Sequence, residues 1–207
     1  FLLSTMALLF VMGGMAQNDA QMVVSTESGL VKGFDHEGSM GFLGIPYAKV
    51  ERFMPPQPVA KWDTIRVCDH WGPQAMQNTW GKQLSEAEMS EQCCVLNVWT
   101  TDTKAKKPVM VWLHGGGFDS GTSAWDPGMK LAQRDVVVVS VNHRLNILGF
   151  LDLSACSEKY KYSGNVGMLD VVYYQVFLQP SVKINSAISS RPLNTLCSGL
   201  YCISPHP

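Results

Sequence analysis

The sequence lacks an excess of either charge: 16 Lys and Arg stand against 17 Asp and Glu in 207 residues, a formal net charge of −1. That balance leaves no electrostatic footprint for a nucleic acid or an anionic surface as partner. It also lacks a Cys-x-x-Cys pair or a Cys/His array, although Cys68, Cys93, Cys94, Cys156, Cys197 and Cys202 are present, so no zinc or other metal site is indicated. Apart from the N-terminus, no apolar run approaches the length of about 20 residues that spans a bilayer. Acidic residues stop at Asp170. Residues 171–207 carry only Lys183 and Arg191 as charges, and Pro180, Pro192, Pro205 and Pro207 interrupt them. No helical or strand period runs through that tail.

What is present is enough apolar sequence, 46% of residues, for one sizeable core. The first residues, FLLSTMALLFVMGGMA, have the length and character of the apolar region of an export signal. The expectation is a secreted or periplasmic protein, cleaved after Ala16, whose signal here lacks its basic start. Export would permit disulfides. Residues 1–16 are therefore assigned to a signal peptide, 17–172 to the body of a domain, and 173–207 to a divergent tail.

Within the body, residues 22–34 read as a hairpin and 42–48 as a strand stopped by Pro46. Residues 52–62 are too rich in proline for anything but extended loop. Residues 82–92 fit a short surface helix or a loop, and VLNVWT at 95–100 a strand. The runs at 108–114 (PVMVWLH) and 135–144 (DVVVVSVNHR) are apolar almost without a break, as suits strands covered on both faces. Between them, Asp126 and Pro127 form an N-cap and N1 pair that predicts a helix to about Gln133. Strand, turn, helix and strand make a βαβ unit of an α/β fold. A second helix is predicted from near Asn165 into the 170s.

The first of these strands ends in His114-Gly115-Gly116-Gly117. Glycines at a strand end can turn several N–H groups toward one point, because no Cβ obstructs them and positive φ costs them nothing. Such a nest holds an anion. A phosphate cradle would need Lys where Thr122 stands, in the spacing that runs from Gly116 to Gly121, so that chemistry is disfavoured. An oxyanion hole for acyl transfer needs only the amides.

Seven segments in order identify the chain as similar to the type-B carboxylesterase and cholinesterase family: GLVKGF, FLGIPYA, RFMPPQP, SEQCCVLNVWT, PVMVWLHGGGFDSG, VVVVSVNHRLNILGFL and GNVGMLD. They cover roughly residues 22–172. The resemblance implies an α/β-hydrolase fold with a mostly parallel central sheet, here reaching only its N-terminal part, before the nucleophile elbow. It implies hydrolysis of small-molecule carboxylic esters by a Ser, acid and His triad, with no cofactor. It places the oxyanion donors on Gly116 and Gly117, supported by Gly115. Asn142, Arg144, Gly149, Phe150, Gly164, Asn165 and Asp170 fall on structural positions. It also matches Cys93 to a cysteine that is often disulfide-bonded; the usual partner position holds Ala75, and Cys68 is close enough in sequence to substitute as the partner of a possible Cys68–Cys93 bridge.

The nucleophile is the missing half. In this fold it occupies Gly-x-Ser-x-Gly, with the acid and His following in chain order. The sequence contains no such pentapeptide. The family's spacing from Asp170 lands on Ser198, in TLCSGLY, without the flanking glycines or a preceding buried strand. No acid follows, and the sole later His is His206. The expectation is an inactive fragment whose tail comes from a non-native frame or is disordered. The alternative is a cholinesterase-like protein that has lost catalysis and serves in binding or adhesion.

Overall fold

A computed structural model describes residues 22–79, 87–125, 127–178 and 201–203. Strand β1 (Val23–Ser25) pairs antiparallel with β2 (Leu30–Lys32), which in turn pairs parallel with β5 (Arg66–Val67). Thr26 closes the predicted hairpin: its backbone and that of Gly29 bond each other, and its hydroxyl donates to Gly29 O at 2.8 Å.

The main sheet has six described strands in the order β3-β4-β6-β8-β7-β9. They are β3 (Phe34–His36), β4 (Ser39–Pro46), β6 (Val95–Thr100), β7 (Val109–Leu113), β8 (Val137–Val141) and β9 (Tyr201–Ile203). Strands β3 and β4 form a hairpin in which Glu37 and Gly38 both take positive φ, 49° and 79°, the handedness that two-residue hairpin turns prefer. The sheet is mixed. Among the described strands its parallel pair is β7 with β8, where the βαβ unit was expected, while the pairs β3–β4, β4–β6 and β6–β8 are antiparallel. Strand β9 adds antiparallel to the free side of β7.

Three α-helices complete the described fold: α1 (Met129–Ala132), α2 (Asn146–Phe150) and α3 (Val166–Leu178). Helix α1 is one turn long, shorter than the 126–133 predicted. Its N-cap is Gly128, which offers no side-chain oxygen, and Asp126 lies outside the described residues. Ala132 O already accepts from Asp135 N, and the φ of 65° at Asp135 turns the chain into β8. Helix α3 matches its predicted start and continues to Leu178, past the point where the sequence changes character. No helix is long and apolar enough to cross a membrane among the described residues.

Residue alternation along β8 explains its unbroken apolar run. Val139 and Val141 join Phe42, Ile45, Tyr47, Leu96 and Val111 on one face, closed by Val171 and Tyr174 of α3. Val138 points to the other face, with Leu43, Trp99 and Ala132 of α1. Each such side chain removed from water contributes about 1.5–3 kcal/mol before chain entropy is subtracted. The Tyr47 hydroxyl, in the middle of the first face, donates to Asn142 O at 2.7 Å, so its burial leaves no unpaired donor.

Candidate active site

The parallel pair β7–β8 ends at Leu113 and Val141, and the segments leaving the two strands converge. After β7 comes His114, then an exposed turn over residues 115–119. Gly116 (φ 120°), Gly117 (φ 62°) and Phe118 (φ 62°) all take positive φ. A Cβ on Gly116 would stand 1.8 Å from Ser120 O, so no other residue fits that conformation. Gly116 O accepts from both Asp119 N (3.1 Å) and Ser120 N (3.2 Å). The amides of Gly116, Gly117 and Phe118 donate to no acceptor among the described residues. Three unengaged N–H groups at the end of a buried strand are a nest for negative charge.

The turn returns onto its own start. At Gly121 (φ 133°) an added Cβ would fall 2.2 Å from His114 Nδ1 and 2.4 Å from Gly115 O. Gly121 N donates to Gln77 Oε1 at 2.7 Å, and Gln77 Nε2 donates back to Gly121 O at 2.9 Å. Further along, Ser123 N donates to Asn142 Oδ1 at 2.7 Å, while Asn142 Nδ2 reaches Pro73 O at 3.1 Å. Asn97 is fully buried in β6; its carboxamide accepts from Gly44 N and donates to Ser123 and Ser140 hydroxyls.

Two histidines lie under the turn. His114 and His143 stack face to face, with ring centroids 5.0 Å apart and planes 1° from parallel. Nδ1 of His114 meets Gly115 O, and Nδ1 of His143 meets Arg144 O, both at 2.9 Å. Carbonyls accept only, so each Nδ1 carries the proton. Burial, then the neighbouring His143, pushes His114 down to about 4; burial likewise depresses His143, so both rings are neutral at pH 7. Nε2 of His114 is buried without a partner among the described residues.

Beyond β8, the scaffold positions hold an ion pair. Arg144 is bidentate to Asp170, with Nε to Oδ2 at 2.8 Å and Nη2 to Oδ1 at 2.7 Å, and its Nη1 donates to Glu51 O and Met54 O. Both side chains are buried, and each of the three guanidinium nitrogens has a partner. The pair ties the entry of α2 to α3 and to the proline-rich loop. Cys68 and Cys93 are separate buried thiols, Cys68 in the main core and Cys93 beside Ala75 and Leu145. Ser198 and His206 lie outside the described residues. No group of His, Cys, Asp and Glu is arranged to hold a metal among the described residues. Gln77 and Asn146, which brace the turn, are absent from the residues singled out by sequence.

A glycine turn with unengaged amides at the end of a parallel strand, over a mixed sheet with a covering helix, is the arrangement of the α/β-hydrolase fold. A carboxylesterase of Geobacillus stearothermophilus shares it, with a TM-score of 0.71 and 38% identity over 76% of this chain and 34% of that one. The chain belongs to the carboxylesterase family, whose model matches residues 20–180. It is similar to the para-nitrobenzyl esterase of Bacillus subtilis (39% identical; 72% of this chain, 32% of that protein) and to the fumonisin B1 esterase of Sphingopyxis macrogoltabida (35%; 87% and 36%). It is also similar to the acetylcholinesterase of Electrophorus electricus (35%; 79% and 29%). The chain spans about a third of the length of these relatives.

Proposed function

We propose that these residues form the oxyanion half of a serine carboxylesterase site in an exported protein, with small carboxylic esters as substrates. In the reaction a serine oxygen attacks the ester carbonyl, and the carbonyl oxygen takes up the negative charge of the tetrahedral intermediate. The amides of Gly116 and Gly117 receive that charge, with Gly115 setting their approach. The observation that carries the reading is the set of unengaged N–H groups in a conformation only glycine holds at position 116. Preorganised donors stabilise the charge as it forms, without reorganising solvent, and losing one costs about 10²–10³ in rate. The described residues contain no Gly-x-Ser-x-Gly, and neither does the rest of the sequence, so this chain by itself is proposed to turn over no ester.

A chimera tests the first statement, and an ester assay on the chain alone the second. Residues 22–178 would replace the matching segment of the Bacillus subtilis para-nitrobenzyl esterase, and para-nitrophenyl acetate hydrolysis would be followed. The chimera is expected to be active, and Gly116→Ala in it to lower kcat by about 10²–10³ with KM little changed. A folded but inactive chimera, or one indifferent to Gly116→Ala, overturns the oxyanion reading. Inhibitor-sensitive turnover by the 207-residue chain alone overturns the expected inactivity and brings Ser198 back as nucleophile.

A further inference from the structure

We propose that Gln77 is a positioning residue for the glycine turn: its carboxamide clamps Gly121 and so holds the Gly116 and Gly117 amides in their catalytic orientation. The inference rests on the oxyanion reading above and deepens it.

Gln77 comes from a loop 44 residues away in sequence and meets the turn where it closes. It makes three bonds: Oε1 accepts from Gly121 N (2.7 Å), and Nε2 donates to Gly121 O (2.9 Å) and Ala75 O (3.0 Å). All three partners are backbone groups of known polarity, so the orientation of the carboxamide is unambiguous. Both hydrogens of Nε2 are engaged. A carboxamide can donate and accept at once in this geometry, whereas an ionised carboxylate only accepts.

The clamp acts at the base of the turn. Gly121 packs against His114 and Gly115 closely enough that a Cβ would overlap both. Gly115 to Gly121 is thus a closed loop, and Gly116 O at its centre holds Asp119 N and Ser120 N. Fixing Gly121 against Gly115 fixes the path between them, which contains the two proposed donors. The same loop is held a second time from the same segment. Asn146 N donates to Phe118 O at 2.7 Å, and Asn146 Nδ2 donates to Met76 O at 2.7 Å. Residues 73–77 therefore run beside the turn as a splint. Gln77 supplies its direct bonds, Asn146 bridges Met76 to Phe118, and the Asn142 carboxamide joins Pro73 to Ser123 just past the turn.

The test uses the full chain and two variants, Gln77→Ala and Gln77→Glu, followed by amide proton shifts and hydrogen exchange. Loss of the Gly121 amide bond in Gln77→Ala is trivial. The proposal requires propagation: Asp119, Ser120 and Asn146 amides should exchange about tenfold faster or more, and the Gly116 and Gly117 amide shifts should move, while β6 and β8 stay protected. In Gln77→Glu, the ionised form faces two carbonyl oxygens and breaks the clamp. The protonated form restores one donor and one acceptor. Protection of Asp119 and Ser120 should therefore rise as pH falls from 8 to 5 in Gln77→Glu, with no such step in the parent chain. A side chain that acts only by filling space gives no such pH-dependent rescue. Unchanged exchange and shifts in Gln77→Ala overturn the proposal. So does loss of protection throughout the fold in both variants, which would make Gln77 a global determinant. No ester enters these measurements, so their failure is distinct from failure of the oxyanion reading.

Discussion

Gly116 and Gly117 are neighbours in one turn, yet their constraints differ. A Cβ on Gly116 meets Ser120 O at 1.8 Å in a φ region closed to L-residues; one on Gly117 meets nothing within 4 Å, at a φ of 62° that L-residues visit at a cost of about 1–2 kcal/mol. Gly117→Ala should therefore lower stability by about that amount. Gly116→Ala should cost visibly more and disrupt protection of the Asp119 and Ser120 amides, as read by denaturant melts and hydrogen exchange. Equal effects would show that the turn is looser than its geometry. A second residue-scale expectation concerns Ala75, which packs with buried Cys93 at the position where the family resemblance implies a partner cysteine. Ala75→Cys should form a bridge to Cys93 under oxidising conditions, seen as the loss of titratable thiols, and raise the melting temperature. Loop closure of this length is worth about 3 kcal/mol when unstrained. A double thiol that resists oxidation would place the two backbones too far apart.

At the scale of elements, the ends of β7 and β8 carry the stacked His114 and His143. His114 titrates near 4 when folded against about 6.5 when unfolded. The unfolded chain then binds the proton first. Stability is complete above about pH 6.5, falls as pH drops through the interval, and levels off below 4; one site with such a shift is worth on the order of 3 kcal/mol. Denaturant midpoints measured between pH 7.5 and 4 should decline, and His114→Asn should flatten the decline. A decline of the same size in His114→Asn would assign it to other groups. Between β8 and α3, the Arg144–Asp170 pair makes a related point. Asp170→Asn leaves a buried guanidinium without its counter-charge and should cost about 3–5 kcal/mol, whereas replacing both by Met and Leu should cost less. If the double variant is the less stable, the pair contributes more than the desolvation argument allows.

For the whole molecule, the described sheet has β9 as its partner on the outer side of β7, the strand that ends in the glycine turn. This edge is where an unpaired apolar strand would invite association with another chain. The chain belongs to the carboxylesterase family through residues 20–180, a match that extends past the change in composition near Val172. Helix α3, from Val166 to Leu178, runs across that change. The oxyanion reading, the absence of turnover by the chain alone, and export are proposals at this scale; the chimera tests the first, and an ester assay on the chain alone tests the second.

The sequence by itself determined the local features. The valine-rich apolar runs at 109–113 and 137–141 make strands wherever they are covered, Pro46 stops β4, and three glycines after His114 specify a turn that carries amides outward. The ordered motifs determined the family. Only the tertiary structure decided what holds the turn in place. Gln77 and Asn146 have no period, no spacing and no charge that would mark them as its braces, and most of their partners lie tens of residues away. A carboxamide becomes a clamp when the fold brings a backbone N–H and C=O to its two ends, and that meeting is set by packing of the sheet. The same holds for the neutral state of His114: glycines follow it in sequence, and the burial and stacked ring that depress its titration arrive with β8.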